Sequence, residues 1–329
     1  MERDFVKYGE LVNKDIQKYL DPKTGLVLKK YTRKRTCPVC NYPKKKFLFN
    51  KQGFTHVKCP KCRLVYVDPI ISESYLKKFY KAKSYVYYAS LMTEEAVQRR
   101  DKRSEKIFKK INDKFKHKHG RILDIGCGYG AILKVAKSRG WDVHGTDYSD
   151  DCRKHIKQEL GIDIKKQDIL DTNFKENFFD IIILKQVIEH LNEPKKTLIK
   201  INQLLRPGGM LWLATPNSKG ICALIMKKYN PSYQRGHINI FDKSTMAKIL
   251  KESGFRKMKV STYHLKALNL FCYLTGKRDV RMKVYTTLNK LPTQGGIKRR
   301  VFYKIVQPFL SKAASLFGVG DYLEVIAYK

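Results

Sequence analysis

Residues Leu123 to Gly130 read Leu-Asp-Ile-Gly-Cys-Gly-Tyr-Gly, and no other stretch limits the fold of this chain so tightly. A short apolar run, Ile122 to Ile125, ends in three glycines at alternate positions, Gly126, Gly128 and Gly130. A helical pattern follows, with Ile132, Leu133, Val135 and Ala136 on one face. The pattern predicts a strand, a tight turn and a helix start, with glycines where a ligand must approach the backbone. Taken alone, the turn fits any nucleotide-binding α/β fold, or a plain strand-to-helix connection.

The residues downstream narrow the choice. A second strand, Trp141 to Thr146, ends in Asp147, and an acid at the tip of the second parallel strand can accept hydrogen bonds from both ribose hydroxyls. A third strand around Ile162 to Lys166 leads to Asp168, placed to accept from an adenine amino group. The fourth, Phe179 to Leu184, is almost wholly apolar, as a strand buried on both faces should be. A helix from about Pro194 to Leu205 and a fifth strand, Met210 to Thr215, follow. Strands and helices alternate at βαβ spacing throughout. A nicotinamide dehydrogenase is disfavoured, because its fingerprint needs the third glycine one residue later and no second catalytic domain is visible.

This motif order resembles the class I S-adenosylmethionine-dependent methyltransferases. The resemblance is carried by LDIGCGYG at 123–130, GTDYS at 145–149, QDI at 167–169, FDIIILKQVIEHL at 179–191 and LLRPGGMLWLATPN at 204–217. It implies an α/β fold, a Rossmann-like seven-stranded sheet with helices on both faces, and S-adenosylmethionine as methyl donor. It also implies donor contacts at Asp124, Gly126, Cys127, Gly128, Gly130, Asp147, Tyr148, Asp168, Ile169 and Lys185. Asp124 would hold the amino-acid end, Asp147 the ribose, and Asp168 with Ile169 the adenine. In such a fold a helix over 94–118, with Ala96, Ile107, Ile111 and Phe115 as apolar positions, packs beside the first strand.

A second signal lies upstream. Cys37-Pro-Val-Cys40 and Cys59-Pro-Lys-Cys62 are two Cys-x-x-Cys pairs eighteen residues apart. Each pair can set two thiolates on one ion, and two pairs complete a closed, structural tetrahedral Zn²⁺ site. Two disulfides are the competing reading. The other four cysteines are scattered and no secretory signal precedes them, which favours a reducing compartment and zinc. Metal binding would contribute about 10–16 kcal/mol to the folding of so small a module. The run Cys59 to Pro69, followed by Tyr75, Phe79 and Tyr80, resembles the cysteine-ribbon opening of methyltransferases in sugar and surface-polysaccharide pathways.

The expected organisation is an N-terminal extension (1–36), a zinc ribbon (37–70), linking helices (71–119) and a methyltransferase domain (120–329). Within the last, 264–317 forms a helical lid or insertion, two apolar segments around Gly295-Gly296 with basic flanks. No apolar run reaches the eighteen or so residues of a membrane span, so a cytoplasmic enzyme is expected, peripheral at most to the inner face of the membrane. The net charge of +38 invites three readings: lysine-rich solvated faces, attraction to an anionic membrane surface or phosphate-bearing substrate, and nucleic acid. No RNA-binding module accompanies the charge, so nucleic acid is disfavoured.

The expected chemistry is in-line methyl transfer to a small-molecule acceptor, a sugar or lipid-linked glycan. Alignment and exclusion of water are the protein's main contributions. A hydroxyl or carbon acid would need its proton removed, and His190 and His237 are the candidate catalytic residues. His237 precedes the helix Ser244 to Glu252, with Ser244 as its N-cap, and could equally tie that loop in place. The rival readings are an RNA methyltransferase and a non-catalytic scaffold of the same fold. A homodimer is compatible with all of them.

Overall fold

A computed structural model of the chain describes residues 11, 14, 16–72, 75, 94–115, 119–276 and 302–329. Two compact units emerge. The first comprises Met1–Met92, Pro216–Asp242 and Thr262–Leu323; the second comprises Thr93–Thr215, Lys243–Ser261 and Glu324–Lys329. Phe79, Tyr80, the glycine pair at 295–296 and the basic residues at 116–118, 277–278 and 298–300 lie outside the described residues.

In the first unit β1 (Thr32–Arg33) pairs antiparallel with β5 (Ile70–Ile71). A meander, β2 (Lys46–Lys51), β3 (Phe54–Lys58) and β4 (Val65–Val67), lies between them in sequence. Gln52 and Gly53 join β2 to β3 with φ of 52° and 84°, the double left-handed turn whose twist suits a two-residue hairpin. Ile16, Val27, Phe54, Val67, Ile70 and Ile71 gather into one small apolar cluster.

The second unit opens with α1 (Glu94–Phe115). Its buried stripe runs through Ser104, Phe108, Ile111 and Phe115, with Ile107 only half buried. The expected stripe therefore shifts by one residue at Phe108, whose ring meets Trp141 edge-on at 6.0 Å. Then come β6 (Arg121–Ile125), α2 (Ala131–Lys137), β7 (Asp142–Thr146), α3 (Asp150–Leu160), β8 (Phe179–Lys185), α4 (Pro194–Leu204) and β9 (Leu205–Pro216). β6 pairs in parallel with both β7 and β8, and β8 in parallel with β9. Ile181 to Leu184 are fully buried, each contributing about 1.5–3 kcal/mol of transfer free energy.

Farther on, α5 (Ile221–Met226) and β10 (Asn239–Ile240) belong to the first unit, where β10 joins β4 to give the order β10-β4-β3-β2. α6 (Lys243–Glu252) returns to the second unit. It begins one residue before Ser244, so Ser244 sits in the first turn and Asp242 takes the boundary place, a residue type equally suited to capping. The remaining elements are β11 (Lys257–Tyr263), α7 (Ala267–Leu274), α8 (Gln307–Leu316) and β12 (Tyr322–Tyr328).

The large sheet has the order β11-β12-β9-β8-β6-β7, six strands among the described residues. The segment expected as a further strand, 162–166, makes one parallel bridge, Thr146 to Lys165. Only Ile164 is buried there, and charged Asp163 and Lys166 remain exposed, so little apolar surface rewards a longer pairing. The chain winds from β6 to β7 on one side and from β8 to β9 on the other. That reversal leaves a crevice outside the carboxyl ends of β6 and β8, where ligands bind in open α/β sheets.

Candidate active site

Three left-handed glycines build the mouth of this crevice, Gly126, Gly128 and Gly130, with φ of 68°, 56° and 70°. Their reasons differ. A β-carbon on Gly126 would lie 2.6 Å from Val187 Cγ2, just beyond β8, and one on Gly130 would lie 2.9 Å from Ile156 Cγ1. At Gly128 nothing comes within 4 Å. Two of the glycines are thus demanded by the protein's own packing, and only Gly128 leaves open space beside the backbone.

The turn is fastened to the tip of β7. Gly126 and Cys127 amides both donate to the Thr146 carbonyl, at 2.8 and 3.1 Å. Gly128 N donates to Asp147 Oδ2 and Ser149 N to Asp147 Oδ1, each at 2.8 Å. Ser149 also caps α3 by accepting from Cys152 N at 3.3 Å. Asp147 is therefore oriented by two backbone amides while each oxygen keeps a lone pair for a ligand. Cys127 is half-buried, and burial pushes its thiol up, with Asp124 and Asp147 adding to the effect.

Asp124, in the middle of this constellation, is only 4 % exposed. Burial pushes its carboxyl up to about 7, the Lys185 ammonium at the end of β8 works against that shift, and the Asp147 carboxylate adds to it. A buried acid poised near neutrality, in a crevice and beside a lysine, is a candidate functional group on physical grounds. Asp168 accepts from Leu170 N at 3.0 Å and caps the short 3-10 turn Ile169–Asp171. Exposed Tyr148 directs its hydroxyl at Asp168 Oδ2, 3.4 Å away, and Ile169 is buried beside them.

His190 closes a 3-10 turn, Ile188–His190, in the second unit, and its amide donates to the Val187 carbonyl at 2.8 Å. Its neighbour Glu189 is fully buried and accepts from Thr215 Oγ1 at 2.9 Å. In the sequence, the signal for Glu189 is a carboxylate close behind the almost wholly apolar strand β8. His237, in the first unit, is buried, with Nδ1 2.9 Å from the Ser232 carbonyl and Nε2 2.6 Å from Gln234 Nε2. A tautomer protonated at Nδ1 satisfies both contacts, which tie the loop 232–237 together.

The four cysteines of the first unit converge, their Sγ atoms all within 4.8 Å of one another. Cys37 and Cys62 approach to 3.4 Å and Cys40 and Cys59 to 3.6 Å, far longer than the roughly 2.05 Å of a disulfide. Four sulfurs on one tetrahedral Zn²⁺ at about 2.3 Å stand about 3.8 Å apart. The two loops repeat each other. Asn41 and Arg63 follow the second cysteines with φ of 54° and 70°, and their amides donate to the carbonyls of Cys37 and Cys59 at 2.8 and 2.9 Å.

Comparison with known proteins finds a family and several relatives. The family described as "Methyltransferase domain" matches residues 97–260. A ubiquinone biosynthesis O-methyltransferase of Acinetobacter baylyi is 25 % identical over 180 residues, covering 50 % of this chain and 76 % of the relative. Its counterpart in Coxiella burnetii is 34 % identical over 107 residues, covering 31 % of this chain and 45 % of the relative. Among solved structures, a SAM-dependent methyltransferase from Archaeoglobus fulgidus aligns with TM-score 0.46 and 19 % identity, over 69 % of this chain and 94 % of that one. Phosphoethanolamine N-methyltransferase 2 from Haemonchus contortus, in complex with S-adenosyl-L-methionine, aligns with TM-score 0.48 and 20 % identity, over 80 % and 62 %. The chain is a class I S-adenosylmethionine-dependent methyltransferase.

Proposed function

We propose that this enzyme methylates a hydroxyl of a small-molecule acceptor, using a donor site on the β6–β7 side of the crevice. The observation that carries the donor site is the Asp147 carboxylate, fixed by Gly128 N and Ser149 N beside the one open glycine. Asp147 then takes the ribose hydroxyls, and Asp168 with Ile169 and Tyr148 takes the adenine. Asp124, once ionised, and Lys185 would form a pair of opposite charge able to hold the ammonium and carboxylate of the donor's amino-acid end. Cys127 lines the turn between them. When bound, S-adenosylmethionine supplies a methyl group on a sulfonium leaving group, so the residues contribute alignment and a dry site more than bond chemistry.

His190, at the end of the turn that follows β8, is the group proposed to take the hydroxyl proton, imidazole being the side chain best suited to moving a proton in this pH range. For His237 the two bonded ring nitrogens favour a loop-ordering role over a catalytic one. The hydroxyl assignment is supported by the names of the relatives, which are O-methyltransferases of ubiquinone biosynthesis. A sugar or lipid-linked glycan acceptor draws its support only from the cysteine module and receives none from those relatives.

Zn²⁺ in the Cys37, Cys40, Cys59 and Cys62 cluster is proposed as structural, since four thiolates close the tetrahedron and leave no position for a substrate. The domain boundaries at 36, 70 and 119 are carried forward as part of this proposal. So is a homodimer. Incubating the enzyme with methyl-labelled S-adenosylmethionine and a panel of phenolic, isoprenoid-phenolic and sugar acceptors tests the reading. Label in an ether, on a phenol or on a sugar hydroxyl, supports it. Label only on carbon, in amines or in RNA overturns it.

A further inference from the structure

Three helices of the first unit, α5, α7 and α8, share an apolar centre and, among the described residues, also carry large exposed apolar side chains. Cys222, Met226, Leu265, Ala267 and Ala314 form the buried cluster between them, with Leu268, Leu270, Phe302 and Leu310 packed against it. On the solvent side, Leu224 of α5, Phe271 and Leu274 of α7, and Phe309 and Leu316 of α8 are 54 %, 62 %, 66 %, 71 % and 78 % exposed. The spacing is regular. Phe271 and Leu274 stand three apart, and Phe309, Lys312 and Leu316 fall at i, i+3 and i+7, so each pair or triplet occupies one helix face. Monomeric soluble proteins rarely expose large apolar side chains in such concentration without a partner.

Charge identifies the partner. Between Ser253 and Gly320 the sequence has one acidic residue, Asp279, against fourteen Lys and Arg. Exposed Lys227, Lys228 and Lys312 lie on or beside the same helices. Large apolar side chains on helices too short to span a membrane, with lysines at or beside them, are the pattern of a helix lying in the lipid headgroup region. Anionic headgroups meet such lysines favourably, whereas an apolar protein groove would leave them unmatched. Among the described residues no helix is long and apolar enough to cross a membrane, so the contact would be peripheral.

We propose that the outer faces of α5, α7 and α8 dock this enzyme on an anionic lipid surface. The docking surface is independent of which acceptor is methylated. The test is co-sedimentation of the full chain with vesicles of phosphatidylcholine alone and with added phosphatidylglycerol, across a salt series. Binding is expected to anionic vesicles and to weaken with salt. The double variant Phe271→Ser/Phe309→Ser should bind at least tenfold less while its melting temperature and S-adenosylmethionine affinity stay unchanged. Phe47→Ser, an exposed aromatic of β2 outside the surface, should bind as the parent does. Any of these outcomes overturns the proposal: no sedimentation with anionic vesicles at low salt, equal binding by the double variant, equal loss in Phe47→Ser, or retention of RNA without retention of vesicles. A dimer in solution that the double variant converts to monomer, with no vesicle binding, would assign the surface to a second copy and likewise overturn it.

Discussion

Gly128 and Asp147 stand nineteen residues apart in sequence and are joined by a 2.8 Å hydrogen bond from amide to carboxylate. This bond makes the turn after β6 and the tip of β7 one rigid fitting. Asp147→Ala removes the carboxylate from the donor site and leaves the Gly128 and Ser149 amides without their acceptor. Affinity for S-adenosylmethionine should fall by about 1.5–3 kcal/mol, the usual worth of a hydrogen bond to a charged group. Calorimetry measures it, and an undiminished affinity would refute the ribose role.

Asp124 makes stability depend on pH in an unusual direction. Its folded value, about 7, lies above the ordinary 3.8. Between roughly pH 4 and pH 7 the folded chain holds a proton that the unfolded chain has released, so stability falls as pH rises through that window. Asp124→Asn should flatten the dependence, read from denaturant midpoints of parent and variant at either end of the window. A parent whose stability is level across it, or rises there only through this residue, would contradict the burial argument.

Gly126→Ala places a methyl group against Val187 and forces a left-handed alanine. The backbone part costs about 1–2 kcal/mol and the clash adds to it. Trimming the obstacle in Gly126→Ala/Val187→Ala should recover the steric share but not the backbone share. Full recovery of thermal stability in the double variant would show that the glycine is there for space alone.

Cys37→Ser should abolish stoichiometric zinc and loosen residues 30–71, seen as faster amide exchange. S-adenosylmethionine affinity should hold, because the proposed donor residues belong to the second unit. Elemental analysis decides the matter: a variant that keeps one zinc per chain would rule out the four-cysteine site.

Arg35 links the cysteine module to β10. Its Nε donates to the Val67 carbonyl at 3.0 Å, and Nη2 donates to the Ile238 carbonyl at 2.7 Å and to Asn239 Oδ1 at 3.1 Å. Arg35→Ala should destabilise the first unit by about 2–4 kcal/mol, since several acceptors lose a charged donor at once. Exchange should rise selectively in 236–241. Unchanged protection there would mean that β4 alone holds β10.

Much of the proposed donor site was legible because it is local. The sequence from Ile122 to Ala136 contains its own strand, turn and helix, and Asp147 follows at the distance one βαβ step requires. The cysteine knuckles were legible for the same reason, since each pair closes over a few residues. What could not be read was which glycine serves whom: Gly126 answers to Val187 and Gly130 to Ile156, contacts that exist only after the sheet forms. The strand expected at 162–166 followed propensity, yet at the sheet edge exposed Asp163 and Lys166 gain too little burial to extend the ladder beyond one bridge.

The chain's own order of residues determined the α/β class, the glycine turn after β6, the acid beside it and the paired thiols, because short-range geometry and hydrophobic periodicity suffice for these. Tertiary structure alone decided that β10 completes the cysteine module's sheet through an arginine 203 residues away. It also decided that Asp124 holds its proton near neutrality and that three helices turn phenylalanine and leucine outward. Burial and long-range partners set those outcomes, and neither is written in the neighbours of a residue.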